Sequence, residues 1–194
     1  MTTATATPAR TATPTRAAIP AGTWNVDPVH SKLGFAVKHM GVSTVRGEFR
    51  EFEGTIEVGD DLASSRARGT VQAASVDTGN DQRDQHLRSP DFFSSDDHRQ
   101  LRFESKRIIA IDEDTLRILG ELEINGVTRE IELEADVLGT AEGSEGEERL
   151  GLEARGQLSR REFGMKFNAA LGSGNAVVAD KVKLELDIAA IKQD

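Results

Sequence analysis

The chain has 194 residues, 37% of them hydrophobic, and a formal charge of −9, enough for one domain with a sizeable core. The acidic balance argues against a nucleic-acid partner and against simple electrostatic docking to an anionic membrane. With no cysteine, disulfides and thiolate metal sites are excluded, and one Trp, no Tyr and eight Phe make a poor stacking platform for single-stranded nucleic acid.

Residues 1–21 are dominated by Thr, Ala and Pro with no recurring apolar face, which predicts a disordered tail ahead of a domain over 22–194. A secretory signal needs an apolar core of roughly seven residues, and a membrane-spanning helix needs ~20 apolar residues. The sequence shows neither, so stable membrane insertion is not expected and the cytoplasm is the expected location.

The first ordered stretch is Thr23–Ser31, with Pro28 suited to a turn or edge because it cannot donate to a ladder. Leu33, Phe35 and Val37 then alternate with polar or small residues as one face of a strand. The next strand changes parity near Arg50-Glu51, with Val45, Gly47 and Phe49 in one phase and Phe52, Gly54, Ile56 and Val58 in the other, which predicts a β-bulge. A third strand over Arg66–Thr78 carries Gly69, Val71 and Ala73 on one side.

An insert over residues 79–93 breaks the alternation and crowds Arg83, Asp84, His86, Arg88 and Asp91 ahead of Phe92-Phe93. Asn80 or Asp81 can cap a short helix ending near Ser89, since Pro90 disfavours helix at the residue before it. Strands then resume around Leu101 and Phe103, and around Leu116, Ile118, Gly120, Leu122 and Ile124. Asn125-Gly126 is a hairpin signal, followed by Ile131, Leu133, Ala135 and Val137. Residues 139–148 read as a mobile Gly/Glu loop. The seventh strand holds Leu150, Leu152, Ala154, Gly156 and Leu158, and Ser159 with Glu162 has capping-box spacing for one helical turn. A looser segment, 165–177, precedes the last strand with Val182, Leu184, Leu186 and Ile188.

Eight antiparallel strands, each apolar on one face, predict an all-β fold that packs on a second sheet or closes on itself. Small residues on the inward parity, namely Gly47, Gly69, Ala73, Gly120, Ala154 and Gly156, point to a barrel with a cavity instead of a filled core.

These stretches resemble the YceI-like, polyisoprenoid-binding family of lipocalin-like barrels. The resemblance rests on Trp24–Ser31, Phe35–Met40, Thr78-Gly79, Arg83–Ser89 and Asp91–Phe93, then Gly120–Arg129 and Arg160–Met165, and it covers about residues 22–191. It implies an eight-stranded antiparallel barrel that binds or carries a polyisoprenoid, prenyl quinone or fatty-acid derivative without turning it over, and no other cofactor. On that reading Leu33, Phe35, Val37, Phe49, Val71, Phe92, Phe103, Ile118, Leu122, Leu133, Leu152, Phe163 and Leu184 line the cavity. Many relatives look like exported proteins and carry a signal peptide, which this sequence does not show.

His30, His39, Arg83, Asp84, His86, Arg88 and Asp91 form a polar set with two open readings. Donors and acceptors are near balance, so the set can pin the insert across the barrel mouth; alternatively it meets a ligand headgroup. Either Arg83 or Arg88 can pair with Asp84 or Asp91 while the other holds an oxyanion. A metal site wants three or four ligands in closed geometry, and the histidines lack helix-pair spacing. The competing class is an enzyme acting on a lipid, with His86 or His30 and Asp84 as the acid/base pair. That class would want a nucleophile elbow or a phosphate loop, and neither is present. A homodimer is the oligomer to expect if the barrel self-associates.

Overall fold

The computed structural model describes residues 19–168 and 177–193. Its strands are β1 (Gly22–Val26), β2 (Lys32–His39), β3 (Ser43–Phe49), β4 (Phe52–Val58), β5 (Arg66–Gln72), β6 (Val76–Asp77), β7 (Gln100–Ala110), β8 (Thr115–Ile124), β9 (Val127–Glu142), β10 (Glu148–Ser159) and β11 (Val178–Lys192). One helix, α1 (Asp81–Arg88), and two 3-10 turns, Ala73–Ser75 and Arg160–Phe163, complete the described elements.

All ladders are antiparallel. The long β11 pairs β2 along its first half and β1 at its end, so β1 and β2 are two parts of one stave. Likewise β4 and β3 pair β5 and β6, so each of those couples is one interrupted stave. Three interrupted staves and the five strands β7 to β11 close a barrel of eight. Closure leaves few free edges, which an isolated sheet of this length would expose.

Each interruption has a local cause. Between β1 and β2, Pro28 cannot donate to the ladder. The Ser31 hydroxyl takes over a ladder position there, accepting from Ala189 N and donating to Ala189 O. The parity change at Arg50-Glu51 is the gap between β3 and β4, where both amides turn to Ser75, one to its carbonyl and one to its hydroxyl. In β7 the register shifts between Ser105 and Arg107, and the fully buried Ser105 hydroxyl accepts from Ala67 N at 2.8 Å. Asn125 and Gly126, both at positive φ (54° and 69°), make the two-residue turn from β8 to β9.

Several boundaries differ from the sequence reading. Residues 1–18 of the expected tail lie outside the described residues, but Ile19 is buried in the core and Pro20 O accepts the Trp24 indole N–H at 3.1 Å. The Thr23–Ser31 stretch contains a strand, β1. The loop expected over 139–148 shortens to residues 143–147, because β9 runs to Glu142 and β10 begins at Glu148. Gly139, at φ 111°, is accommodated inside β9 opposite Gly151. Ser159 makes no capping bond to the turn Arg160–Phe163; its hydroxyl donates to Asp180 instead. Most of the looser segment 165–177 lies outside the described residues.

The interior divides into two clusters. Trp24, Val58, Leu116, Leu150 and Ala190 pack at the end where the chain enters the barrel. Phe92, Leu101, Ile124, Ile131, Phe163 and Met165 pack at the other end, beneath α1.

Candidate functional site

Between the clusters lies a cavity of about 570 Å³, within the range of small-molecule sites. Its wall is built from the inward positions of the staves, for example Leu33, Phe35 and Val37 of β2, Phe103 of β7, Ile118 and Leu122 of β8, and Leu184 of β11. Polar side chains enter it chiefly at the α1 end, where His39, Arg83, His86 and Arg160 reach the lining.

The glycines help make this room, though not as empty positions. A Cβ on Gly47 would lie 2.5 Å from the Phe35 ring, and one on Gly120 would lie 2.5 Å from the Phe103 ring. Both rings therefore lie back against the wall, in space that a larger residue would take. Gly156 gives way similarly to Leu133, whose methyl would be 2.6 Å from a Cβ. Of the six small residues read as inward, only Gly69 and Ala154 line the cavity, and Ala73 is fully buried in a 3-10 turn.

The mouth is organised by α1. Asn80 caps it, its side-chain oxygen accepting from Arg83 N at 2.9 Å. Asp84 is buried and accepts from both Thr78 N (2.9 Å) and Thr78 Oγ1 (2.5 Å). Arg83 donates to Thr78 Oγ1 and O, and Arg88 donates to the carbonyls of Ala74 and Val76. The expected pairing of an arginine with Asp84 or Asp91 does not occur, because backbone carbonyls and Thr78 satisfy the guanidinium groups first. His86 Nε2 meets Asp91 Oδ2 at 2.8 Å, and its ring sits edge-on to Phe92 (5.1 Å) and Phe167 (4.7 Å).

The other residues read from sequence separate clearly. Leu33, Phe35, Val37, Phe49, Val71, Phe92, Phe103, Ile118, Leu122, Leu133, Leu152 and Leu184 lie on the cavity wall. Phe163 does not: it is fully buried in the mouth-end cluster, behind Asn125, whose amide donates to Phe92 O (2.5 Å) and Phe163 O (3.4 Å). Both Phe92 and Phe93 face the cavity, and Phe93 packs edge-on against Phe49 at 5.3 Å. His30 is remote from the insert. It is exposed and bonded through Nδ1 to Asp27 at 2.7 Å, because a three-residue turn brings the two together. Among the described residues no group of three or more His, Cys, Asp or Glu could hold a metal ion.

Arg160 was not read as a site residue. It is buried and donates to the carbonyls of Met165 (2.6 Å), Ala179 (2.9 Å) and Val178 (3.1 Å), so it ties both ends of the 165–178 stretch to the mouth. Burial pushes its guanidinium below the usual arginine range, and the like charge of Arg161 adds to this. Leu87, Phe93, Met165 and Phe167 also join the wall. No alternation marks these four, since they lie in the insert and in the link before β11.

A closed antiparallel barrel of eight staves around an apolar cavity, with polar groups gathered at the mouth, defines a lipocalin-like barrel fold. The chain belongs to the YceI-like domain family, whose model matches residues 24–190. A UPF0312 protein of Staphylococcus epidermidis is 35% identical over 165 residues, covering 84% of this chain and 93% of that protein. A UPF0312 protein of Staphylococcus aureus is 35% identical over 162 residues, covering 82% and 91%. Among solved structures, the Campylobacter jejuni YceI protein is similar with a TM-score of 0.68 at 28% identity, covering 81% of this chain and 90% of that one. Burkholderia cenocepacia BcnA matches with a TM-score of 0.72 at 21% identity, covering 84% and 98%. A polyisoprenoid binding domain from Saccharophagus degradans matches with a TM-score of 0.68 at 17% identity, covering 88% and 98%. The last two likenesses show the shared fold alone.

Proposed function

We propose that the protein binds and carries one long-chain amphiphile, its tail in the barrel and its head at the mouth near His39, Arg83 and His86. The observation that carries this reading is the cavity of about 570 Å³, aliphatic and aromatic along its length, with its polar side chains chiefly at one end. Each methylene moved from water into such a wall is worth about 0.8 kcal/mol, so a long chain needs few polar contacts. A polyisoprenoid, a prenyl quinone and a fatty-acid derivative share this chemistry. The polyisoprenoid binding domain with the same fold supports the first of them.

Carriage without turnover is the reading favoured over catalysis. The His86–Asp84 pair that a lipid-acting enzyme would use does not form, since Asp84 is held by Thr78. His86 bonds Asp91 instead, and no hydrogen bond joins its ring to a hydroxyl among the described residues.

Native mass spectrometry of the purified protein, followed by lipid extraction and mass analysis, tests the reading. A bound species with an isoprenoid or acyl signature is expected. A clean apo mass, with no uptake when prenyl quinones and fatty acids are offered, would overturn it.

A further inference from the structure

Although the chain is acidic overall, its charge is unevenly placed. The turns at the end of the barrel opposite the mouth carry Asp60, Asp61, Asp112, Glu113, Asp114 and Glu145. Around the mouth, the outer face of β11, β2 and β3 is basic. Ala36 lies opposite Lys183 on one side and Arg46 on the other, and its strand neighbours Phe35 and Val37 line the cavity, so these three residues face outward. Strand spacing puts Lys183 and Arg46 about 10 Å apart. Lys38 and Lys181 stand on the same face, one step nearer the mouth. All four basic side chains are exposed, and among the described residues none has a carboxylate partner.

The acids nearby are fewer at the centre of this face than at its borders. Glu48 bridges Lys32 and Arg50, whereas Glu185, two residues from Lys183 and opposite Gly34, is an exposed acid at the lower border of the basic face. Asp180 accepts from Ser159 Oγ and Arg161 N. Of the other mouth-end acids, Asp81 and Asp91 belong to the α1 side, while Glu130 and Glu162 lie near Lys181, on the side away from β2. Beside the basic face, the turn from β2 to β3 exposes Met40 (46%) and Val42 (86%) to solvent. His39, the last residue of β2, reaches the cavity. Thus a basic outer wall and an exposed apolar tip stand side by side at the rim of the mouth.

We infer that this rim docks on an anionic lipid surface, with the mouth turned toward the bilayer and the acidic end turned away. The occupant follows from charge complementarity and from the apolar tip. A polyanion without an apolar phase would use the lysines and leave Met40 and Val42 in water. Each basic side chain held near an anionic surface strengthens binding by roughly fivefold at moderate salt. The acidic end, farther away than the Debye length of about 8–10 Å, opposes this weakly. On this reading, net charge does not describe this one face. The role of the docking rests on the carriage reading, but the docking is measured without reference to cargo.

The test is flotation of the full chain with phosphatidylcholine vesicles, with and without one third phosphatidylglycerol. Binding is expected only with phosphatidylglycerol, and it should fall steeply with added salt. The triple variant Lys38→Glu, Arg46→Glu, Lys183→Glu should lose about tenfold or more of the binding. The control Arg102→Glu, Arg107→Glu, Arg117→Glu, on the outer face of the far wall with the same charge change, should keep most of it. Val42→Asp should weaken binding with no change in fold by circular dichroism. Equal loss in both triple variants, or no binding of the wild type, would overturn the inference. So would patch-dependent retention on an immobilised polyanion with no vesicle binding. Recovery of a bound lipid in the mass analysis would leave the carriage reading standing in each of those cases.

Discussion

Trp24 and Phe103 are both large aromatics on inward strand faces, and only Trp24 fills the barrel. Trp24 is fully buried among Ile19, Val58, Leu150 and Ala190, its indole N–H spent on Pro20 O and Lys192 Nζ 5.6 Å above its ring. It closes the far end as a plug. Phe103 instead lies over Gly120, drawn back to the wall so that the space before it stays open. The same period of two thus yields a packed core at one end and a hollow at the other. The difference is whether the neighbouring strand offers a side chain to pack against or a glycine to lie on.

The largest expected effect breaks the plug. Trp24→Ala removes a fully buried indole and releases Ile19 and Pro20, and should cost about 3–5 kcal/mol in urea unfolding. Trp24→Leu, which keeps apolar volume, should lose less. A loss under ~1 kcal/mol for the alanine variant would mean that the far end is not a packed core.

The next effect sharpens the contrast at the wall. A Cβ at Gly120 would meet the Phe103 ring at 2.5 Å and the Glu104 carbonyl at 2.7 Å, so Gly120→Ala must push the ring into the cavity. The expected cost is about 1–3 kcal/mol, as for an overpacked core, together with reduced lipid uptake. Gly69→Ala is the comparison. Its Cβ would meet only the Glu53 carbonyl, at 3.4 Å, and Gly69 already lines the cavity. That variant should be nearly neutral. Equal destabilisation by the two substitutions would show that the glycines do not act by accommodating rings.

This contrast also explains what the sequence could disclose. Alternation located the eight staves, since every strand from β8 to β11 buries one parity and β7 changes parity only at its bulge after Ser105. Local chemistry narrowed the helix cap to Asn80 or Asp81, of which Asn80 serves, and located the Asn125-Gly126 turn and the break at Arg50-Glu51. The cavity could be inferred from small residues, but not the means by which Gly47 and Gly120 create it, because that depends on which ring lies across the ladder. Phe163 and Phe103 look alike in sequence; one is buried behind Asn125 and the other faces the hollow. The polar set was the least legible part. Arginine has five donors, and nothing local says whether they will meet a carboxylate, as expected for one of Arg83 and Arg88, or Thr78 and the carbonyls of Ala74 and Val76, as found. Arg160 spends its donors the same way on a stretch ten or more residues distant in part, beyond the reach of any local pattern.

The smallest effect concerns the joint between β1 and β2, on the plugged side of the comparison. Asp27 is held down to about 2 from the ordinary 3.8, first by the hydrogen bond from His30, and also by Arg149 and the Val29 amide, against the opposing influence of burial. Its side chain is 10% exposed and bonds Arg149 Nη1 at 2.9 Å, tying the joint to β10. The folded value lies below the unfolded one, so the carboxylate contributes stability that is fully present above pH 3.8 and is lost as pH falls toward about 2. Allowing for solvent screening, the contribution is about 1 kcal/mol. Asp27→Asn should therefore be less stable than wild type by about that amount at neutral pH. The gap should close as the pH is lowered through this window, and urea unfolding over a pH series measures it. A gap that stays constant down to the bottom of the window would mean that Asp27 acts through packing alone, and the charge tie between β1 and β10 would be dispensable.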